Sequence, residues 1–202
     1  MADIKELRCP ICNRTYSPLD VTYTCPQCGP VGTLEVLYNY EHLKAQLDRD
    51  ELRNELQQSM WRYKSLLPIQ ADSFVPPLRV GMTPFYETSR VAEALQLKRV
   101  WLKDDGQNPT GSLKDRASAM VVARAMEQGI KIVSTASTGN AAAALSGVAA
   151  SVGMEVVIFV PSTAPEAKIA QLLVYGATVL LVEDTYDVAF ELCPEMCLKE
   201  GW

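Results

Sequence analysis

Ile130-Lys131-Ile132-Val133-Ser134-Thr135-Ala136-Ser137-Thr138-Gly139-Asn140-Ala141-Ala142-Ala143-Ala144 passes from an apolar run, through a turn of small residues, into an alanine-rich segment. The order reads as strand, turn, helix. Gly139 lets the backbone come close to a ligand. The N–H groups that open the following helix, with the Ser137 and Thr138 hydroxyls, can cradle a carboxylate or phosphate. The alanines from Ala141 to Ala150 allow close packing on a sheet and are assigned to the core rather than to a ligand.

The same grammar repeats on both sides of this stretch. Short apolar runs at Val100–Leu102, Ile130–Val133, Val156–Val160 and Thr178–Val182 alternate with helical segments near 113–128, 140–152, 165–175 and 186–198. Such alternation predicts an α/β fold built from βαβ units around a parallel sheet. Pro165 near a helix start, and Gly153 and Gly176 just past helix ends, punctuate it correctly. Upstream, residues 41–58 intersperse charges with Leu43, Leu47, Leu52 and Leu56, which predicts a helical connector. Met60-Trp61-Arg62-Tyr63 and the prolines Pro68, Pro76 and Pro77 predict an extended arm. The expected organisation is therefore a small N-terminal module at 1–40, connector and arm at 41–79, and an α/β region at 80–202.

A second turn carries the chemistry. In Asn108-Pro109-Thr110-Gly111-Ser112-Leu113-Lys114-Asp115-Arg116-Ala117, Asn-Pro and Thr-Gly are turn signals, and helix formers follow from Leu113 to Met126. Lys114 then falls in the first helical turn. The positive end of the helix dipole and partial burial are both expected to favour its neutral amine, the form that attacks an aldehyde to give a Schiff base. Most lysines so placed are solvated surface residues; the asparagine turn downstream is what favours chemistry.

Together the lysine motif, the turn Ser137–Asn140 and Gly81-Met82-Thr83-Pro84 resemble the fold type II pyridoxal-phosphate enzymes of the tryptophan synthase β superfamily, and within it the threonine synthases most closely, over residues 60 to 202. By that resemblance Lys114 is the catalytic residue and would hold pyridoxal 5'-phosphate as a Schiff base. Asn140 would hydrogen-bond the cofactor ring hydroxyl, while Ser137, Thr138, Gly139 and Asn140 would bind the carboxylate of a small amino-acid substrate. The implied reaction is a lyase step that converts O-phosphohomoserine and water to threonine and phosphate, in a cytoplasmic homodimer. Related activities of the same fold, a cysteate synthase or an amino-acid dehydratase, remain open, as does a non-catalytic zinc-binding fragment.

Two departures bear on this. The family holds its cofactor phosphate with a glycine-rich loop in the later half of the chain, whereas Gly153, Gly176 and Gly201 are isolated, and the sequence stops at Trp202 directly after a predicted helix. The expectation is an incomplete catalytic fold. In addition, Ala141 replaces a common threonine and Leu113 a common phenylalanine, which bears on the leaving group rather than the cofactor.

Cys9-Pro10-Ile11-Cys12 and Cys25-Pro26-Gln27-Cys28-Gly29 form two C-x-x-C pairs twelve residues apart. Four thiolates at that spacing suit tetrahedral zinc, with iron as the competitor for the same ligands. Disulfides are disfavoured because Met1–Pro10 carries Asp3, Lys5, Glu6 and Arg8 and is no secretory segment. A nucleic-acid role is disfavoured too, since Lys5, Arg8 and Arg14 face Asp3, Glu6, Asp20 and Glu35 in the module. Cys193 and Cys197, spaced i and i+4, are read as ordinary helix residues, and His42, the single histidine, as a surface residue. With 202 residues, 48% hydrophobic and 21% charged, and a net charge of −5, the chain suits a soluble protein and offers little to anionic polymers or membranes. No apolar run reaches the ~18–20 residues that cross a bilayer.

Overall fold

A computed structural model describes residues 3–21 and 23–202. The chain divides into two compact units, one of residues 1–57 and 61–73, the other of 58–60 and 74–202.

In the first unit, β1 (Ile4–Arg8) lies between β2 (Thr15–Tyr16) and β5 (Glu35–Tyr38) in an antiparallel sheet, and β3 (Thr24–Cys25) pairs with β4 (Gly29–Thr33). The predicted connector is two short helices, α1 (Tyr40–Gln46) and α2 (Arg49–Asn54). Each is capped by an acceptor side chain, Asn39 Oδ1 from the His42 amide at 3.2 Å and Asp48 Oδ1 from the Asp50 amide at 2.7 Å. His42 is exposed, as expected, with Nδ1 2.6 Å from Asp3 Oδ1. The arm differs from expectation: Met60–Leu66 coils into 3₁₀ turns with a kink at Tyr63. Trp61, its buried residue, explains why this segment coils instead of extending: a short helical turn sets the indole inward.

The second unit contains the predicted sheet, with β8 (Ile132–Ala136), β9 (Glu155–Pro161) and β10 (Thr178–Val182) all parallel in the order β10-β9-β8. Helices α4 (Lys114–Glu127), α5 (Asn140–Ala150), α6 (Glu166–Val174) and α7 (Tyr186–Glu200) follow the predicted segments closely. Strand β9 is buried on both faces from Val156 to Val160, as a central parallel strand must be. Its alternate residues Val157 and Phe159 meet Ala189 and Cys193 of α7 in one apolar cluster, with Trp202 packed at its edge. Helix α5 also packs on β8 and β9 and against α4, and its alanines Ala142, Ala143, Ala144 and Ala149 are buried.

One apolar run does not join this sheet. Trp101–Lys103 forms β7, paired antiparallel with β6 (Phe85–Glu87) across the short helix α3 (Ser89–Ala94). The three-residue run takes its hydrogen-bonding neighbour from the adjacent segment instead of crossing over, and Phe85 stacks on Trp101 with ring centroids 5.0 Å apart.

Candidate functional site

The lysine turn is held by buried acidic and amide side chains that face its own backbone. Asp115, fully buried, accepts from the Thr110 amide at 2.8 Å and from the Thr110 hydroxyl at 2.6 Å. Asn108, also buried, accepts from the Gly81 amide through Oδ1 at 2.9 Å and donates through Nδ2 to the Asp105 carbonyl at 2.9 Å. The Gly81–Pro84 segment and the lysine turn are thus one connected structure.

A charged clamp closes it. Arg116, two residues beyond Lys114, grips Asp105 with both Nε (2.9 Å) and Nη2 (2.7 Å), and the Thr83 hydroxyl donates to the same carboxylate at 2.7 Å. A fork of two parallel N–H donors defines orientation as well as distance. The Arg116 hydrogen bonds, then that of Thr83, hold the Asp105 carboxyl far below the ordinary carboxylate range, and Asp105 in turn raises the Arg116 guanidinium. Lys103 donates to the Thr83 carbonyl from the neighbouring strand.

Lys114 is the first residue of α4, as predicted, but it is exposed, so the expected partial burial is not present in this chain. Helix periodicity is the reason: Asp115, Ser118, Ala119, Val122 and Ala123 form the buried face, and Lys114, Ala117 and Val121 lie outside it. Among the described residues its amine has no hydrogen-bond partner.

The asparagine turn connects the C-terminal end of β8 to the N-terminus of α5. The Ser137 amide donates to the Phe159 carbonyl at 3.2 Å, and the Ser137 hydroxyl accepts from the Gly139 amide at 3.2 Å. No described side chain caps α5, and a Cβ at Gly139 would meet nothing within 4 Å. An eleven-residue helix with no side-chain cap leaves first-turn amides that suit a carboxylate or phosphate, and the space beside Gly139 is open. Gly147, further along α5, receives the lysine turn: a Cβ there would lie 2.6 Å from the Thr110 methyl. Neither Gly147 nor the Asp105–Arg116 pair is legible as functional from sequence, because each depends on segments that only folding brings together.

In the first unit the four cysteines expected to bind metal converge, with all sulfurs within 4.8 Å of one another. Cys9 follows β1, Cys25 ends β3, and the first knuckle is tied by the Asn13 amide on the Cys9 carbonyl and the Cys9 amide on the Arg14 carbonyl, both 2.9 Å. Cys12 and Cys25 sulfurs are 3.8 Å apart. A tetrahedron with Zn–S bonds of about 2.3 Å has edges of about 3.8 Å, so the cluster fits the ion. Gly32 makes this possible, since a Cβ there would lie 2.8 Å from Cys28 Cβ and 2.9 Å from Cys25 Cβ. Burial raises the Cys25 thiol, but hydrogen bonds from Tyr16 and from the Cys28 and Gln27 backbone outweigh it and bring the group down to about 6. Burial, then the neighbouring thiols, push Cys28 up. Cys193 and Cys197 gather around Ser134 Oγ at 3.6 and 2.7 Å, with Cys193 raised to about 11 by burial in the core.

Residues 77–202 match the family described as Pyridoxal-phosphate dependent enzyme. The chain is similar to threonine synthase of Methanosarcina acetivorans, 38% identical over 196 residues that cover 96% of this chain and 47% of that protein. Threonine synthase of Methanocaldococcus jannaschii is 36% identical, with the same coverage of 96% and 47%. Among solved structures, cysteine synthase of Entamoeba histolytica superposes with a TM-score of 0.54 at 28% identity, covering 59% of this chain and 38% of that one. Threonine deaminase isoform 2 of Solanum lycopersicum, with a TM-score of 0.53 at 23% identity over 77% of this chain and 39% of its own, shares the fold alone. The chain spans about half the length of the threonine synthases it matches. With the match running through the lysine turn, the asparagine turn and the parallel sheet, the chain belongs to the pyridoxal-phosphate-dependent enzymes.

Proposed function

We propose that this chain is the lysine-bearing part of a threonine synthase, acting on O-phosphohomoserine. The observation that carries the proposal is the extent of similarity: threonine synthases match over 96% of the chain, a span that must take in most of the four-cysteine module as well as the catalytic region.

In this reading the Lys114 amine, at the head of α4 and with no hydrogen-bond partner among the described residues, would hold the cofactor through its aldehyde and would move the proton at the substrate α-carbon. Pyridoxal phosphate, when bound, supplies the electron sink that makes that proton removable. Asn140 would hold the ring hydroxyl. The helix start at Gly139 and Asn140, through the Asn140 amide and the Ser137 and Thr138 hydroxyls, would hold the substrate carboxylate and so orient the bond to be broken. Asp105, Arg116 and Thr83 act on the lysine turn and not on substrate: they hold the first turn of α4 against the Gly81–Pro84 segment.

Zinc is the proposed occupant of Cys9, Cys12, Cys25 and Cys28, in a structural role, since four protein ligands close the coordination shell. A cytoplasmic setting agrees with four neighbouring thiols kept reduced. The test is phosphate release from O-phosphohomoserine, with threonine as co-product, measured on this chain and on any longer polypeptide that contains it. The proposal expects activity that Lys114→Ala abolishes. Ammonia release from threonine without phosphate release from O-phosphohomoserine would replace it with a dehydratase.

A further inference from the structure

Tyr16 ends β2, and its pairing with Leu7 of β1 places the ring beside the cysteine cluster. Its hydroxyl oxygen is 3.0 Å from the sulfur of the buried Cys25. A metal-bound Cys25 is a thiolate and has no proton to give, so the phenol must be the donor. Two positive charges against four thiolates leave the centre with a net charge of −2. A buried anion of that kind is costly unless hydrogen bonds take up its charge, and a charge-assisted bond does so most strongly. Phenylalanine would supply the same ring to the sheet; only the hydroxyl addresses the sulfur.

Given the metal site proposed above, we infer that Tyr16 is a positioning residue of that centre, whose hydroxyl donates to Cys25 Sγ, tightens metal binding and makes Cys25 the least reactive of the four sulfurs. The Arg14 carbonyl ties the first knuckle through the Cys9 amide, the side-chain pair Arg14–Gln27, 2.9 Å between Nη1 and Oε1, joins the two knuckles, and among the described side chains Tyr16 brings a hydroxyl to a sulfur of the cluster. Its removal therefore changes the electronic state of one ligand and spares the knuckle geometry.

The full chain and its Tyr16→Phe variant are loaded separately with Zn²⁺ and Co²⁺. Chelator competition is expected to show about a tenfold loss of zinc affinity in the variant, the lower end of the usual effect of an outer-shell partner. The sulfur-to-cobalt charge-transfer band moves to lower energy, because a thiolate relieved of its hydrogen bond gives up charge more easily. Alkylation mapping shows Cys25 modified earlier than in the wild type. A variant that binds zinc equally well, with an unmoved band, overturns the role of Tyr16 and leaves the metal site standing. A wild type with no tetrathiolate cobalt band overturns the metal site itself, and Tyr16's role with it. Should Tyr16→Phe fail to fold, ¹¹³Cd-loaded wild type decides: scalar coupling between cadmium and the Tyr16 hydroxyl proton supports the assignment, and no coupling overturns it.

Discussion

Asp105 shows how much of the candidate site depends on a single side chain. Its carboxyl, about a quarter exposed, is held far below its ordinary range by Arg116 and Thr83. Because the folded value is depressed, the stabilisation is present above the ordinary carboxylate range and is lost as pH falls below about 4 toward the folded value. Asp105→Asn is expected to cost about 1–2 kcal/mol at pH 7 and to flatten the acid limb of stability, read from urea unfolding at pH 7 and pH 3. A variant whose acid limb matches the wild type would show that the pair is electrostatically idle. Gly32 is equally specific. Gly32→Ala drives a methyl into the Cys25 and Cys28 β-carbons, and is expected to lower metal stoichiometry well below one per chain, measured by zinc analysis after gel filtration. The cysteines announced their cluster by spacing alone, whereas Tyr16 and Gly32 carried no signal, since neither belongs to the repeating pair and both are placed by strand pairing.

Among elements, strand β10 coincides with its apolar run, and the α4, α5 and α6 boundaries fall within two residues of expectation, because hydrophobic periodicity and Pro or Gly punctuation agree there. Helix α7 continues through Pro194, which is exposed, to Glu200. Where local signals were short they misled: β7 pairs with β6 and not with the parallel sheet, and the arm contains a 3₁₀ helix. The α7 packing yields a direct test. Phe159 is 1% exposed at the centre of the cluster with Ala189 and Cys193. Phe159→Ala should cost about 3–5 kcal/mol in chemical denaturation. A loss under 1 kcal/mol would mean that α7 is not bound to the sheet through this residue.

For the molecule as a whole, two compact units imply two separable sources of stability. The four-cysteine unit has few fully buried large side chains, and metal binding, worth about 10 kcal/mol or more in small zinc modules, is expected to hold it together. Chelation should open residues 1–57 to proteolysis while the α/β unit stays protected; equal loss in both would contradict separate cores. None of the described helices is long and apolar enough to cross a membrane. Lys114 is exposed where partial burial was expected, since a position in the first turn does not say which face of the helix is covered. Whether that amine is the cofactor's attachment point is best measured by trapping. The chain is mixed with one equivalent of pyridoxal phosphate, reduced with borohydride and mapped by mass spectrometry. The account predicts the cofactor mass on the peptide bearing Lys114, and no such preference in Lys114→Ala. Label spread over other surface lysines, with Lys114 no more modified than they are, would contradict it.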